Sequence, residues 1–101
     1  MELEVADNPA EARYEIHADG ELAGFTTYRE RPKGLAFNHT EVFDQFEGKG
    51  IGSALMQQTL DDVRARGLEV LPICPFMTAF IERHREYADL VPESERERFG
   101  L

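Results

Sequence analysis

Apolar and polar positions recur with two different periods along this chain, and the change falls near its middle. The first half reads as strands. Leu3 to Ala6 is a short candidate strand, stopped by Asp7-Asn8-Pro9. Ala12 to Ala18 alternates loosely, with Tyr14 and Ile16 on one face. Asp19-Gly20 is a strong turn signal, and Leu22 to Arg29 is the strand after it, so the two strands form a hairpin. Arg31-Pro32-Lys33-Gly34 makes the next turn. Leu35 to Phe43, rich in β-branched and aromatic residues, is then a further strand.

From Ile51 the apolar positions Ile51, Leu55, Met56, Leu60 and Val63 recur at helical spacing. Gly67 sits where that helix should stop, after Arg64 and Arg66. Leu68 to Cys74 is a short apolar strand containing Pro72. Proline removes a ladder donor, which puts the strand at an edge or splays it from its neighbour. Pro75 can open a second helix, with Phe76, Met77, Phe80 and Ile81 as its apolar face through about His84. Pro92 to Leu101 is highly charged and reads as a short surface helix or a frayed, solvated tail. Four strands, a helix, a strand and a helix make an α/β (α+β) fold on a mixed sheet. Its unit from Leu35 to Cys74 is predicted to be a right-handed crossover.

Composition narrows the function. A chain of 101 residues holds one domain and a modest core. No apolar run approaches the roughly 20 residues that span a bilayer, and Met1 to Val5 lacks the regions of a secretory signal, so a cytoplasmic location is expected. A single cysteine, Cys74, cannot staple the fold. His17, His39 and His84 are scattered, and no metal site is predicted. The net charge of −9 disfavours nucleic acid and anionic membrane as partners and favours cationic ones.

The chemistry concentrates at Glu47-Gly48-Lys49-Gly50-Ile51-Gly52-Ser53, between a strand and a helix. Glycines at 48, 50 and 52 carry a high cost in chain entropy. They suit a backbone that approaches a ligand closely, with successive N–H groups and a helix N-terminus converging on an anion. The plainer alternative is a turn that needs glycine for its dihedral angles. A Walker loop is excluded because Lys49 precedes Gly50, and a dinucleotide fingerprint is disfavoured because the preceding strands form hairpins.

The run from Thr40 to Ser53, TEVFDQFEGKGIGS, resembles the acetyl-CoA signature of the GNAT N-acetyltransferase superfamily, Arg/Gln-x-x-Gly-x-Gly/Ala, with Gly50 and Gly52 at its small positions. Leu71 to Val91, LPICPFMTAFIERHREYADLV, extends the resemblance to the compact, single-domain YjdJ-like subfamily. It implies a minimal GNAT fold with a mostly antiparallel sheet, two main helices and a splayed strand pair. Acetyl-CoA would be the cofactor. Its pyrophosphate would lie on the loop around Gly48, Lys49, Gly50, Ile51, Gly52 and Ser53, and its pantetheine arm along Thr40, Glu41, Val42 and Phe43. A backbone N–H near Val42 would polarise the thioester.

Two positions depart from the pattern. Glu47 stands at the Arg/Gln position, so only its backbone would serve. In the Asn-x-x-Ala-x-x-Phe-Tyr pattern, Cys74 falls at Asn, Met77 at Ala, and Phe80 and Ile81 at Phe-Tyr, so the family's tyrosine acid is replaced by isoleucine. Cys74 is either a small buried hydrophobe or, before a helix N-terminus, a reactive thiol that takes the acetyl group or protonates the departing CoA. His39 and Glu41, on one strand face, are candidates to deprotonate an incoming ammonium, or ordinary cross-strand residues. Tyr87 reads as a core packer before a distant acid, and His84 as a surface or helix-end residue. The family's usual pair of helices between the first strands has no room in Asp7 to Glu11. The acceptor side is therefore expected to be open and suited to a protein lysine or polyamine. A non-catalytic acyl-CoA-binding or sensing module is the alternative to an N-acetyltransferase. Monomer and dimer both remain open.

Overall fold

Asp19 and Gly20 both take positive φ, 50° and 85°, as a two-residue turn needs if its twist is to match the strands it joins. It links strands β2 (Arg13–Ala18) and β3 (Glu21–Arg31). The computed structural model describes residues 1–101. Strand β1 (Leu3–Asn8) runs antiparallel to β2 and continues past Ala6. The chain is stopped by Pro9, which opens a single 3-10 turn to Glu11. Strand β4 (Gly34–Val42) pairs antiparallel with β3. Helix α1 (Ile51–Ala65) is followed by Gly67 at φ 70°. Strand β5 (Glu69–Pro72) and helix α2 (Pro75–Arg83) complete the frame.

The sheet order is β1-β2-β3-β4-β5, and β4·β5 is its only parallel pair. This is the mixed, mostly antiparallel α+β architecture expected, with Pro72 on the edge strand. One cluster joins Tyr14, Ile16, Tyr28 and Phe37 of the sheet to Leu55, Leu60, Met77 and Ile81 of the two helices. Both helices therefore cover the same face. On the other face Arg13, Glu15 and His17 alternate with the buried residues of β2 and stay half-buried. A fully buried Leu55 or Leu60 contributes roughly 2 kcal/mol of apolar burial, so this one face supplies most of the drive to fold. Thr59 of α1 is fully buried, and its hydroxyl has no partner. No helix is long and apolar enough to cross a membrane.

The segment expected to be a short surface helix or a solvated tail is helical and ordered against the body. A 3-10 stretch (Arg85–Leu90) leads into the short helix α3 (Glu93–Arg96), and Phe99 and Leu101 pack against the core. Arg85 donates to the Leu101 carbonyl at 2.8 Å. Two apolar anchors, Phe99 and Leu101, stand beside six charged or polar neighbours, Glu93 to Arg98.

Tyrosines tie the elements together. Tyr14 donates to Asp62 and Tyr28 to Asp7, and Arg66 donates to both Asp7 and the Tyr14 oxygen. Tyr87 donates to Asp61 at 2.7 Å. Burial, and then the adjacent carboxylates, hold the Tyr14 and Tyr28 phenols well above the ordinary tyrosine range and push Tyr87 up to about 12. The folded state favours the neutral phenol. This stabilisation is therefore complete below pH about 10 and is lost as pH rises from there toward 12. All three tyrosines of the chain are in these pairs. Tyrosinate absorbance at 295 nm should then appear in the same step as loss of helical circular dichroism, above pH about 10. Tyrosinate forming near pH 10 with the dichroism intact would contradict it.

Candidate active site

Strands β4 and β5 stay in register from Gly34·Glu69 to Phe37·Pro72. The Cys74 N–H makes a last bond to the Phe37 carbonyl at 2.9 Å. Beyond it the strands part. Pro72 offers no N–H, and Pro75 fixes the first position of α2, which holds Cys74 in extended backbone at φ −66°, ψ 125°. Strand β4 continues alone to Val42, leaving one edge open.

Which backbone groups face that edge follows from the ladder. The Phe43 N–H bonds the Ala23 carbonyl at 2.9 Å. Bonding alternates along an antiparallel strand, so Glu41 and His39 face β3, while Thr40 and Val42 turn their N–H and C=O into the gap. A bulge between Thr27 and Tyr28 leaves Asn38 unpaired and resets the side-chain alternation. Phe37 and Thr40 consequently both face the helices, and His39 and Glu41 face the uncovered side.

The candidate catalytic residues are thereby divided. Cys74 is buried, 5% exposed, and its thiol donates to the Thr40 hydroxyl at 3.3 Å. Thr40 in turn donates to Thr26 at 3.0 Å. His39 and Glu41 lie on the opposite face, mostly in water, with Nε2 and Oε1 3.6 Å apart and the Phe25 ring beside His39. Val42 and Phe43 are half-buried and pack against the core. Ile81 is fully buried, and Tyr87 has its hydroxyl on Asp61, so the phenol packs within the fold as expected. His84 caps α2 and stacks on Phe80 at 4.1 Å.

A 3-10 turn (Asp44–Phe46), anchored by buried Phe46, leads from the gap to the glycine loop. Gly48 and Gly50 take φ 75° and 72°, and no atom lies within 4 Å of where a side chain would start. Their requirement is conformational, and the space beside them is open. Gly52 differs: a Cβ there would meet the Phe76 ring at 2.5 Å, so α2 rests directly on the first turn of α1. Helix α1 has no side-chain cap, and its first internal bond is Ala54 N–H to Gly50 carbonyl. The six N–H groups from Gly48 to Ser53 have no acceptor in the chain. Glu47, Lys49 and Ser53 are exposed, and Ile51 buries its side chain and offers only its amide.

Unpaired N–H groups at a helix N-terminus attract negative charge through their own dipoles and that of the helix. The loop therefore fits a phosphate group, and the open edge of β4 fits an extended chain carrying amide groups. No three His, Cys, Asp or Glu side chains gather as metal ligands. Sequence reasoning missed Thr26 and Phe76. A threonine in mid-strand and a phenylalanine on a helix both look like packing, and only the pairing register and the helix contact reveal them.

Residues 13–90 match the family model of the GCN5-related N-acetyl-transferase. No curated protein sequence matches the chain. Among solved structures, a GCN5-like protein from Staphylococcus aureus is 24% identical with a TM-score of 0.66, over 89% of this chain and 88% of that one. Ard1 from Thermoplasma volcanium is 24% identical with a TM-score of 0.51, over 60% of this chain and 43% of its own. The ribosomal-protein-alanine N-acetyltransferase from Brucella melitensis is 23% identical with a TM-score of 0.51, over 79% and 60% respectively. At these identities the neighbours share the fold, and the family model, spanning most of the sequence, settles membership. The chain belongs to the GCN5-related N-acetyl-transferase family.

Proposed function

We propose that this protein is an acetyl-CoA-dependent N-acetyltransferase that acts on an amine, with a protein lysine or a polyamine as the acceptor class. The observation that carries the reading is the run of six unpaired N–H groups from Gly48 to Ser53 beside an open strand edge. Family members use acetyl-CoA, which when bound supplies an acyl group activated as a thioester. The amides of Gly48 to Ser53 would hold the pyrophosphate, with Lys49 adding one positive charge. The Thr40 and Val42 backbone groups would hold the pantetheine arm, against Phe43, and the Val42 N–H would polarise the thioester carbonyl. The run from Leu71 to Val91 supports the compact YjdJ-like subfamily.

Cys74 has two roles open to it. As nucleophile, its sulfur bonds the acetyl carbon while the bond to the departing thiol breaks and takes up the cysteine proton. Attack by the amine then forms the amide, and the spare ammonium proton restores the thiol. As acid, Cys74 gives its proton to the departing thiolate. His39 and Glu41, exposed on the other face, would take a proton from an incoming ammonium, directly or through water. The acidic net charge and the bare sheet face support a cationic acceptor too large for an enclosed pocket.

One observation favours a second reading, a non-catalytic acyl-CoA-binding module: isoleucine stands at the family's acid position, and the Tyr87 phenol is bonded to Asp61. Calorimetry with acetyl-CoA and CoA, followed by thiol release with a lysine peptide and with spermidine, separates them. Binding plus amine-dependent release is expected. Binding without release would leave the sensing module, and no binding would sink both.

A further inference from the structure

We propose that Thr26 and Thr40 form a positioning pair that orients the Cys74 sulfur toward the gap between β4 and β5. The meaning of this pair for turnover rests on the catalytic reading of Cys74 given above. Its geometry does not.

Thr26 and Thr40 are direct partners across β3 and β4. Their hydroxyls are 3.0 Å apart, and the Cys74 thiol reaches Thr40 at 3.3 Å. The bulge at Asn38 makes this possible. Counting from the Arg31·Gly34 end of the hairpin, pairing runs regularly to Tyr28·Phe37 and then skips one residue. Without the skip Thr26 would sit opposite His39, and the imidazole would face the helices in place of the hydroxyl. Bulges beside reaction centres commonly re-aim a side chain in this way.

Valine has nearly the shape of threonine, and Thr26 is fully buried. A hydroxyl in that position is costly unless hydrogen-bonded, and Thr40 is the partner it has. Hydroxyl protons rotate to suit their neighbours. When sulfur carries its proton, the order is thiol to Thr40 to Thr26. When sulfur has lost it, Thr26 can donate to Thr40 and Thr40 to sulfur. The pair therefore holds the same sulfur position in both states. Because Thr26 has no contact with water, the relay ends inside the protein. Thr40 joins the two surfaces: its side chain faces Cys74 and its backbone faces the open edge.

The test is the rate at which Cys74 of the full chain is alkylated by iodoacetamide at fixed pH, followed by mass spectrometry. Thr40→Val should slow it about fivefold and Thr26→Val about twofold or more, the range expected for one hydrogen bond to sulfur. Thr40→Ser should restore the rate to within about twofold. Thr59→Val, which removes a buried hydroxyl elsewhere, should change neither alkylation nor turnover. Should Thr40→Val fail to fold, as judged by circular dichroism, the near-isosteric Thr26→Val decides alone. Unchanged or faster alkylation in the folded valine variants overturns the proposal. In turnover the same variants should lower kcat with KM for acetyl-CoA held. If Cys74→Ala keeps full turnover, the catalytic reading of the cysteine fails, and the alkylation series still judges the pair.

Discussion

Cys74→Ala should lower acetyl transfer by about 100-fold or more while leaving the affinity for acetyl-CoA within about twofold, since a positioned proton donor or nucleophile typically contributes 10²- to 10⁴-fold. The asymmetry follows from placement. The thiol is the sole sulfhydryl of the chain and stands where β4 and β5 part, at the first turn of α2. The unpaired amides are grouped separately, on the loop before α1. Alanine would lose one sulfur and one bond to Thr40 and would leave the Phe37 carbonyl bonded to the residue-74 N–H. Stability should fall by no more than about 1–2 kcal/mol. Steady-state rates with calorimetric affinity on the same samples check both halves. Turnover at the parental rate would exclude the cysteine from the chemistry.

Gly50→Val should do the reverse, weakening acetyl-CoA binding at least tenfold. Gly50 is the N-cap of α1 at φ 72°, a conformation that is a genuine outlier for a β-branched residue and costs an ordinary one about 1–2 kcal/mol. Nothing around it is crowded, so the protein can relieve the strain by turning the loop. Turning the loop displaces the N–H groups from Gly48 to Ser53, which have no acceptor in the chain. Fold stability is then largely kept while the anion grip is lost, and the binding deficit should remain at saturating amine. A Gly50→Val protein that binds as well as the parent would show that the loop does not hold the ligand. At Gly52 the cause is different. Its Cβ would strike the Phe76 ring, a side chain that is 43% exposed and free to swing. Gly52→Ala should therefore be milder, and relieved in the double variant with Phe76→Ala.

Local signals carried most of the fold. Asp19-Gly20 can form only a narrow set of turns, the 3.6-residue period of Ile51 to Val63 leaves α1 no alternative, and Pro72 and Pro75 end β5 and start α2 through their own chemistry. Non-local register was hidden. A reader counting back from the Arg31–Gly34 turn pairs Thr26 with His39, because no residue type announces the unpaired Asn38. The separation of His39 and Glu41 from Cys74 onto opposite faces could therefore be seen in part only. Charge also misled at the C-terminus, where Phe99 and Leu101 pack against the core and Arg85 holds the Leu101 carbonyl. The tyrosine–carboxylate pairs join residues as far apart as Tyr14 and Asp62, a distance along the chain over which patterns carry no information.

The contact of Phe76 with Gly52 has a metrical consequence. Cys74 is two residues from Phe76 on α2, and the unpaired amides flank Gly52 on α1, so the packing of α2 against α1 sets the span between thiol and loop. For any ligand held at both ends, the protein is then a ruler with fixed marks. A carrier whose arm is shorter or longer by a few bonds would reach one mark and miss the other, and discrimination by arm length would need no side chain that recognises the arm.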